Sequence, residues 1–342
     1  MYRKKSSVFT IVVSMAIFLF LTSCGDQPKK IEVKKSDSTS VKTPEALSKL
    51  NDSINSEPQN PNLYYHRANY YCKTQQIDMG MNDIQKAIQI DSTKSEYYIT
   101  LSDLCFVSNK TGDSKTALEK AVKLNDKNIN ALLKLAELHL YVKQNDQSIE
   151  YLNQVLKIDQ YNSKAYFMKG MNFKELKDTA KAISSMQTAV EQDQQYYNAY
   201  MQLGLLCAAK NKKVAADYYK NAIRIQPKSV EAWYDLGKFY QDEHDWNNAM
   251  GTYSTLLTFD QNKNAAYNLG AINLLEIKNY PKAIEYFTAA INIDAKYVDA
   301  YYGRGLSLLA NKNKEEAIKD FNTCLSIDPA YSPAIESLKK MK

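Results

Sequence analysis

Histidine, tryptophan and cysteine are scarce in this 342-residue chain. It has three histidines, two tryptophans and five cysteines. The histidines, His66, His139 and His244, stand far apart. No His-Glu-x-x-His, no paired-cysteine zinc spacing and no nucleotide-binding glycine loop occurs. Gly303-Arg304-Gly305 has two glycines at a suggestive spacing, but no strand precedes it, and close helix packing is the better reading. The convergent polar groups of an enzyme cannot be assembled, so we expect no catalysis, no cofactor and no metal. Charge is also modest. Arg3, Lys4 and Lys5 supply three of the formal +6, leaving about +3 beyond residue 23, too little for a nucleic-acid partner.

What the chain does have is a beat. From Ser163 to Tyr196, Tyr166, Gly170 and Phe173 share one face of a first helix, and Ala182, Met186 and Ala189 share one face of a second. A polar break at Lys177 to Thr179 separates them, and Asp193 ends the unit. The mid-helix glycine lets two backbones approach closely. Neither helix buries its apolar stripe alone, so each hairpin needs neighbours.

The spacing recurs in Ala68, Gly80, Ala87 and Asp91, and again in Gly237, Ala249, Leu256 and Asp260. Gly204, Ala215, Ala222 and Gln226 follow it with one turn residue fewer; Gly270, Ala283, Ala290 and Asp294 with one more. Eight units of about 34 residues result: 61–94, 95–128, 129–162, 163–196, 197–229, 230–262, 263–297 and 298–331. Two depart from the pattern. The second carries its turn signal, Gly112-Asp113, about three residues late, which leaves its hairpin loop open. The third has Ser148 and Val155 where alanine is usual.

Ala232-Trp233-Tyr234-Asp235-Leu236-Gly237, with Tyr240, Trp246 and Ala249, resembles the tetratricopeptide repeat family. Ala265 to Asp294 is nearly as close, with Tyr267-Asn268-Leu269-Gly270 and Ala283-Ile284-Glu285-Tyr286-Phe287. The resemblance covers residues 61–331. It implies an all-α, right-handed solenoid with the first helices lining a concave groove. Residues 44–60 read as a half repeat capping the first hairpin, and 332–342 as a capping helix.

The chain opens with Arg3, Lys4 and Lys5, an apolar run from Val8 to Leu21, and Leu21-Thr22-Ser23-Cys24. The run is too short for a membrane-spanning helix and suits a secretory signal, 1–23, that is cleaved. Its end resembles a bacterial lipobox, which implies lipidation (palmitate among the acyl groups) at Cys24. Residues 24–43 are polar and suit a disordered tether. Gly25 after Cys24 favours the outer membrane over the inner. The other cysteines, Cys72, Cys105, Cys207 and Cys324, read mainly as small buried hydrophobes. Cys72 and Cys105 fall on neighbouring first helices, and a bridge between them stays open.

In this family the residues three before and one after the small mid-helix position face the groove. That implies a partner-binding surface of Phe167, Met171, Met201, Leu205, Tyr234, Lys238 and Tyr267. The first four suggest a contiguous apolar patch, with Asp103 and Glu137 towards the N-terminal half. Tyr65 and Ile99 stand where a carboxylate clamp would begin, so no such clamp is expected. The expected function is a lipid-anchored scaffold of the bacterial envelope that holds a protein or peptide in its groove. Self-association, or service as a non-catalytic subunit of an envelope enzyme or secretion complex, is the alternative.

Overall fold

A computed structural model describes residues 45–210 and 213–341. The leader, Cys24 and the tether lie outside the described residues. Eighteen helices and no strand occur among the described residues. No helix there is long and apolar enough to cross a membrane.

The described chain divides into two compact units. The first, ending at Leu176, holds α1 (Glu45–Ser56), α2 (Pro61–Lys73), α3 (Ile77–Ile90), α4 (Ser95–Val107), α5 (Thr111–Leu124), α6 (Ile129–Tyr141), α7 (Asn145–Ile158) and α8 (Ser163–Glu175). The second, from Lys177, holds α9 (Thr179–Gln192), α10 (Tyr197–Ala208), α11 (Ala215–Ile225), α12 (Val230–Asp242), α13 (Trp246–Leu257), α14 (Lys263–Ile272), α15 (Tyr280–Ile293), α16 (Val298–Ala310), α17 (Lys314–Ile327) and α18 (Ser332–Met341). Within each unit, successive helices pack against one another as hairpins, and each second helix packs on the next first helix. α1 covers α2, and α18 covers α17.

Local chemistry explains where the helices start and stop. Asn60, Asn128, Asn162, Ser229 and Asn262 cap first helices by accepting a backbone N–H through the side chain. Asp178, Asp245, Asn279 and Asn313 do the same for second helices. The acid that ends a unit is a turn former. Asp91, Asp159, Asp193, Asp294 and Asp328 each accept the N–H two residues on, at 2.9 to 3.1 Å. Seven hairpin loops turn on a left-handed residue that is never glycine: Gln75, Asn109, Lys143, Lys177, His244, Lys278 and Lys312.

The loop of the second repeat, left open by the sequence, is settled by the structure. It closes at Ser108 to Lys110, and Gly112 lies inside α5 with open space where a Cβ would be. Asn109, which tolerates the left-handed region, supplies the turn. The extra residue of the seventh repeat is absorbed by a π-helical turn at Asn273–Ile277.

The hairpins are held by size matching. Ala68, Ser102 and Ala136 are each followed sixteen residues later by a fully buried aliphatic side chain: Ile84, Leu118 and Leu152. Gly204, Gly237, Gly270 and Gly305 instead face the rings of Tyr219, Tyr253, Phe287 and Phe321. A Cβ added at Gly237 would lie 2.6 Å from Tyr253 Cε1. Phe287 is clasped from a second side by Gly303, whose Cβ would lie 2.5 Å from its Cζ. Gly303 and Gly305 are thus packing glycines. Where serine occupies a tight position it finds a partner. Ser102 and Ser114 share a hydrogen bond of 2.8 Å, and Ser148 donates to the Ala136 carbonyl at 2.7 Å.

Candidate functional site: the shared face of the first helices

The expected groove residues divide between the two units. Phe167 and Met171 lie on α8 of the first; Met201, Leu205, Tyr234, Lys238 and Tyr267 lie on α10, α12 and α14 of the second. Their exposure corrects the expected apolar patch. Phe167 is 4% exposed and Met201 3%, whereas Leu205 is 37% exposed; Met171 is half-buried. The position three before the small residue is part of the inter-repeat core. Ile99, in the same register, is buried in a cluster with Leu118, Ala121, Ala131, Leu135 and Leu138. Side chains of that length are enclosed between neighbouring helices.

Tyrosine at the same position behaves differently, because its polar tip reaches past the core. Tyr234, Tyr267 and Tyr302 pack on Tyr253, Phe287 and Phe321 with ring centroids 5.9, 5.5 and 5.6 Å apart. Each remains half-buried. Tyr267 also lies 5.3 Å from the Tyr297 ring, and Tyr302 lies 5.7 Å from Tyr331. These tyrosines floor the face and complete the core together. Lys238 is exposed and turned to Asp242 one helical turn on.

Charges on the face are arranged differently in the two units. In the first, Lys134 donates to Asp103 at 2.6 Å, and Lys164 lies 3.8 Å from Glu137. Burial raises the pKa of both acids, and the lysines oppose that rise. Two acids and two lysines balance, so this is a paired ladder rather than a poised acid–base couple. No group of three metal-ligating side chains occurs among the described residues. In the second unit Asp235 is half-buried, and its carboxyl is pushed up to about 6 by burial and by Glu231. It has no hydrogen bond or ion pair among the described residues.

His139 is packed. It is buried, stacks on Tyr151 with centroids 5.5 Å apart, and holds Gln144 Oε1 through Nδ1 at 2.7 Å. Cys105 is a free thiol, so the bridge left open between Cys72 and Cys105 is not formed. A hollow of about 510 Å³, bordered by Met81, Tyr98, Leu101, Cys105 and Lys120, involves none of the expected groove residues.

Sequence reasoning missed the ties across the terminal hairpins. Arg67 grips Asp83 with two bonds, Nε to Oδ2 at 2.6 Å and Nη2 to Oδ1 at 2.8 Å, and reaches Asn51 of α1. Arg304 grips Asp320 the same way, at 2.8 Å through each nitrogen. The signal was present: both pairs stand sixteen residues apart at the same register, in the first and last repeats.

Two family models match stretches of this sequence. The tetratricopeptide repeat model covers residues 298–331, which are α16, α17 and the turn after them. The model of ChAPs (Chs5p-Arf1p-binding proteins) covers residues 79–272, more than half of the chain. The chain belongs to the tetratricopeptide repeat family. The segment that the ChAPs model describes begins in α3 and ends with α14, and its described residues are repeat helices and their turns alone.

A curated relative, anaphase-promoting complex subunit 3 of Schizosaccharomyces pombe, is 24% identical over 247 residues, 72% of this chain. The chain spans about a third of that relative's length. Among solved structures, Pseudomonas aeruginosa pilF is similar over 62% of this chain and 92% of its own, at 12% identity and a TM-score of 0.51. YrrB, titled a TPR protein with an unusual peptide-binding site, is similar over 66% of this chain and 99% of its own, at 17% identity and a TM-score of 0.41. The pilF likeness shows the helical-repeat fold. As a tetratricopeptide repeat protein, the chain is a protein–protein interaction scaffold.

Proposed function

We propose that this scaffold is anchored by lipid at Cys24 in a bacterial envelope, at the outer membrane, and holds a segment of a partner protein on the first-helix face. The observation that carries the binding reading is the face of α10, α12 and α14. It combines an exposed leucine, half-buried tyrosines and a carboxylate with no hydrogen bond or ion pair among the described residues. The anchor reading is supported by the basic start, the apolar run from Val8 to Leu21 and the box ending in Cys24. An anchor confines the scaffold to a surface and raises the effective concentration of partners there. The matched relative is by name a subunit of a complex, which agrees with an assembly role.

Crosslinking in cells, followed by affinity capture and mass spectrometry, tests the binding reading. The comparison is between the native chain and a Leu205→Ser, Lys238→Ala variant, whose positions are exposed and therefore leave the core intact. A discrete set of partners lost by the variant is the expected result. Capture of the same set by both would move binding off this face. Metabolic labelling with an alkynyl fatty acid tests the anchor: a Cys24→Ala variant is expected to lose the label, and retention would refute lipidation there.

A further inference from the structure

The hollow beside α5 lies where the second repeat lacks a ring. In each hairpin, one residue stands three after the small position of the first helix, and another three after that of the second. These places adjoin. In the third repeat they hold His139 and Tyr151, whose rings stack with centroids 5.5 Å apart. In the second repeat they hold Cys105 and Ala117, and both border the hollow of about 510 Å³. Each remaining repeat carries a ring or a leucine at one of the two places: Tyr71, Phe173, Tyr218, Tyr240, Tyr286 or Leu308. Only the second repeat has two small residues, so the place that Tyr151 takes in the third repeat stands open in the second. The walls are set. Tyr98 donates its hydroxyl to the Ser92 carbonyl at 3.2 Å, which holds its ring. Met81 and Leu101 are half-buried and pack on the core cluster of Ala68, Ile84 and Ala87.

We propose that this hollow is a second binding site, which takes one aromatic side chain, Phe or Tyr, of a partner protein together with an acidic residue adjacent to it. The repeat itself identifies the ring, because the third repeat places one of its own in the equivalent position. A ring there gains apolar burial against Met81 and Leu101 and an edge or face contact with Tyr98. The thioether of Met81 adapts to either ring. Charge complementarity identifies the neighbour. Lys110 stands just before α5, and Lys120 lies about 15 Å further along it. Both border the hollow, both are exposed, and neither is in an ion pair among the described residues. Lys120 Nζ is 6.0 Å from the centroid of the Tyr98 ring, so its charge sits beside the aromatic wall. Asp113 is the one acid on the lining. Two lysines against one acid favour a negatively charged segment. The site lies off the first-helix face and stands apart from the binding reading above.

The test closes the hollow with the protein's own chemistry. Phage-displayed random dodecapeptides are selected on the purified full-length protein, and the selected peptides are measured by fluorescence anisotropy. They are expected to share one Phe or Tyr with Asp or Glu adjacent. Replacing that ring by alanine is expected to weaken binding about tenfold or more, and Lys120→Ala about two- to fivefold. Ala117→Tyr copies Tyr151. It is expected to melt at or above the native temperature by circular dichroism and to lose the peptides. Ala117→Ser, which copies Ser185 of the fourth repeat, is expected to keep them. If Ala117→Tyr does not fold, Cys105→Phe, which copies Phe173, closes the hollow from the other helix; if neither folds, the hollow has no room for a ring and the assignment falls. Unchanged binding to a folded closed variant, peptides with no shared ring, or no selected peptide likewise overturns it. The Leu205→Ser, Lys238→Ala variant is expected to bind these peptides as the native chain does. Loss of binding there would move the peptides to the first-helix face and overturn the second site, while failure of the first-helix reading leaves this result untouched.

Discussion

Substituting Gly237 by alanine tests the size matching that sets the face in place. The new Cβ would lie 2.6 Å from Tyr253 Cε1 and 2.8 Å from Cδ1, against about 3.5–4.0 Å for carbon atoms in comfortable contact. The ring must therefore shift by roughly 1 Å. It has little freedom to do so, because it is fully buried. Its hydroxyl donates to Gln241 Oε1 and accepts from Asn268 Nδ2, both at 3.0 Å. Overpacking of this kind costs about 1–3 kcal/mol, and alanine in a helix returns up to about 1 kcal/mol. A net loss of about 1–2 kcal/mol is expected. Tyr253→Leu alone should cost about 2–4 kcal/mol through the cavity it leaves beside the glycine. The double variant recreates the pairing of Ala136 with Leu152 found in the third repeat. It should be more stable than the sum of the single losses predicts, by about 1.5 kcal/mol or more. Urea unfolding followed by far-UV circular dichroism measures all four proteins. Additivity within about 0.5 kcal/mol would refute the idea that glycine is present to admit the ring.

Three further outcomes are expected. Asp83→Asn leaves the partly buried Arg67 without its carboxylate and should cost about 2–3 kcal/mol, whereas Lys238→Ala on the surface should change stability by less than about 0.5 kcal/mol; equal effects in urea melts would count against the terminal tie. Asp235 has a folded pKa of about 6, above its unfolded value, so the folded state holds its proton more tightly and native stability falls as pH rises from about 4 to about 7; Asp235→Asn should be the more stable protein at pH 7.5, by about 1–2 kcal/mol after allowing for partial exposure, and the gap should close by pH 4. Cys324 is fully buried with its thiol pushed up to about 12, so Ellman's reagent should label it only after unfolding; rapid labelling of the native protein would contradict the packing of α17 on α18.

The all-helical repeat fold was legible because its determinants are local and periodic. Each first helix begins at the residue that the beat assigns to it, such as Ser95, Ile129 and Val230. Small residues recur at the tight crossing, and an acid recurs where the backbone needs a side-chain acceptor, as at Asp91 and Asp159. Gly112 left the second loop open because glycine is a frequent turn residue, while the turn itself used Asn109 in the left-handed region. Phe167 and Met201 misled because repeat position alone does not say how far a neighbouring helix covers a side chain.

The sequence by itself therefore determined the helical hairpin as the unit and the all-helical character of the fold. Each of these follows from spacing within about 34 residues. Only the tertiary structure decided which residues of the first-helix face are open. It enclosed Phe167 and Met201, left Leu205 at the surface, paired Lys134 with Asp103 across 31 residues, and left Asp235 without a counter-charge among the described residues. Those outcomes depend on what the adjacent repeat places opposite each side chain. That is a property of the packed array, which no single repeat contains.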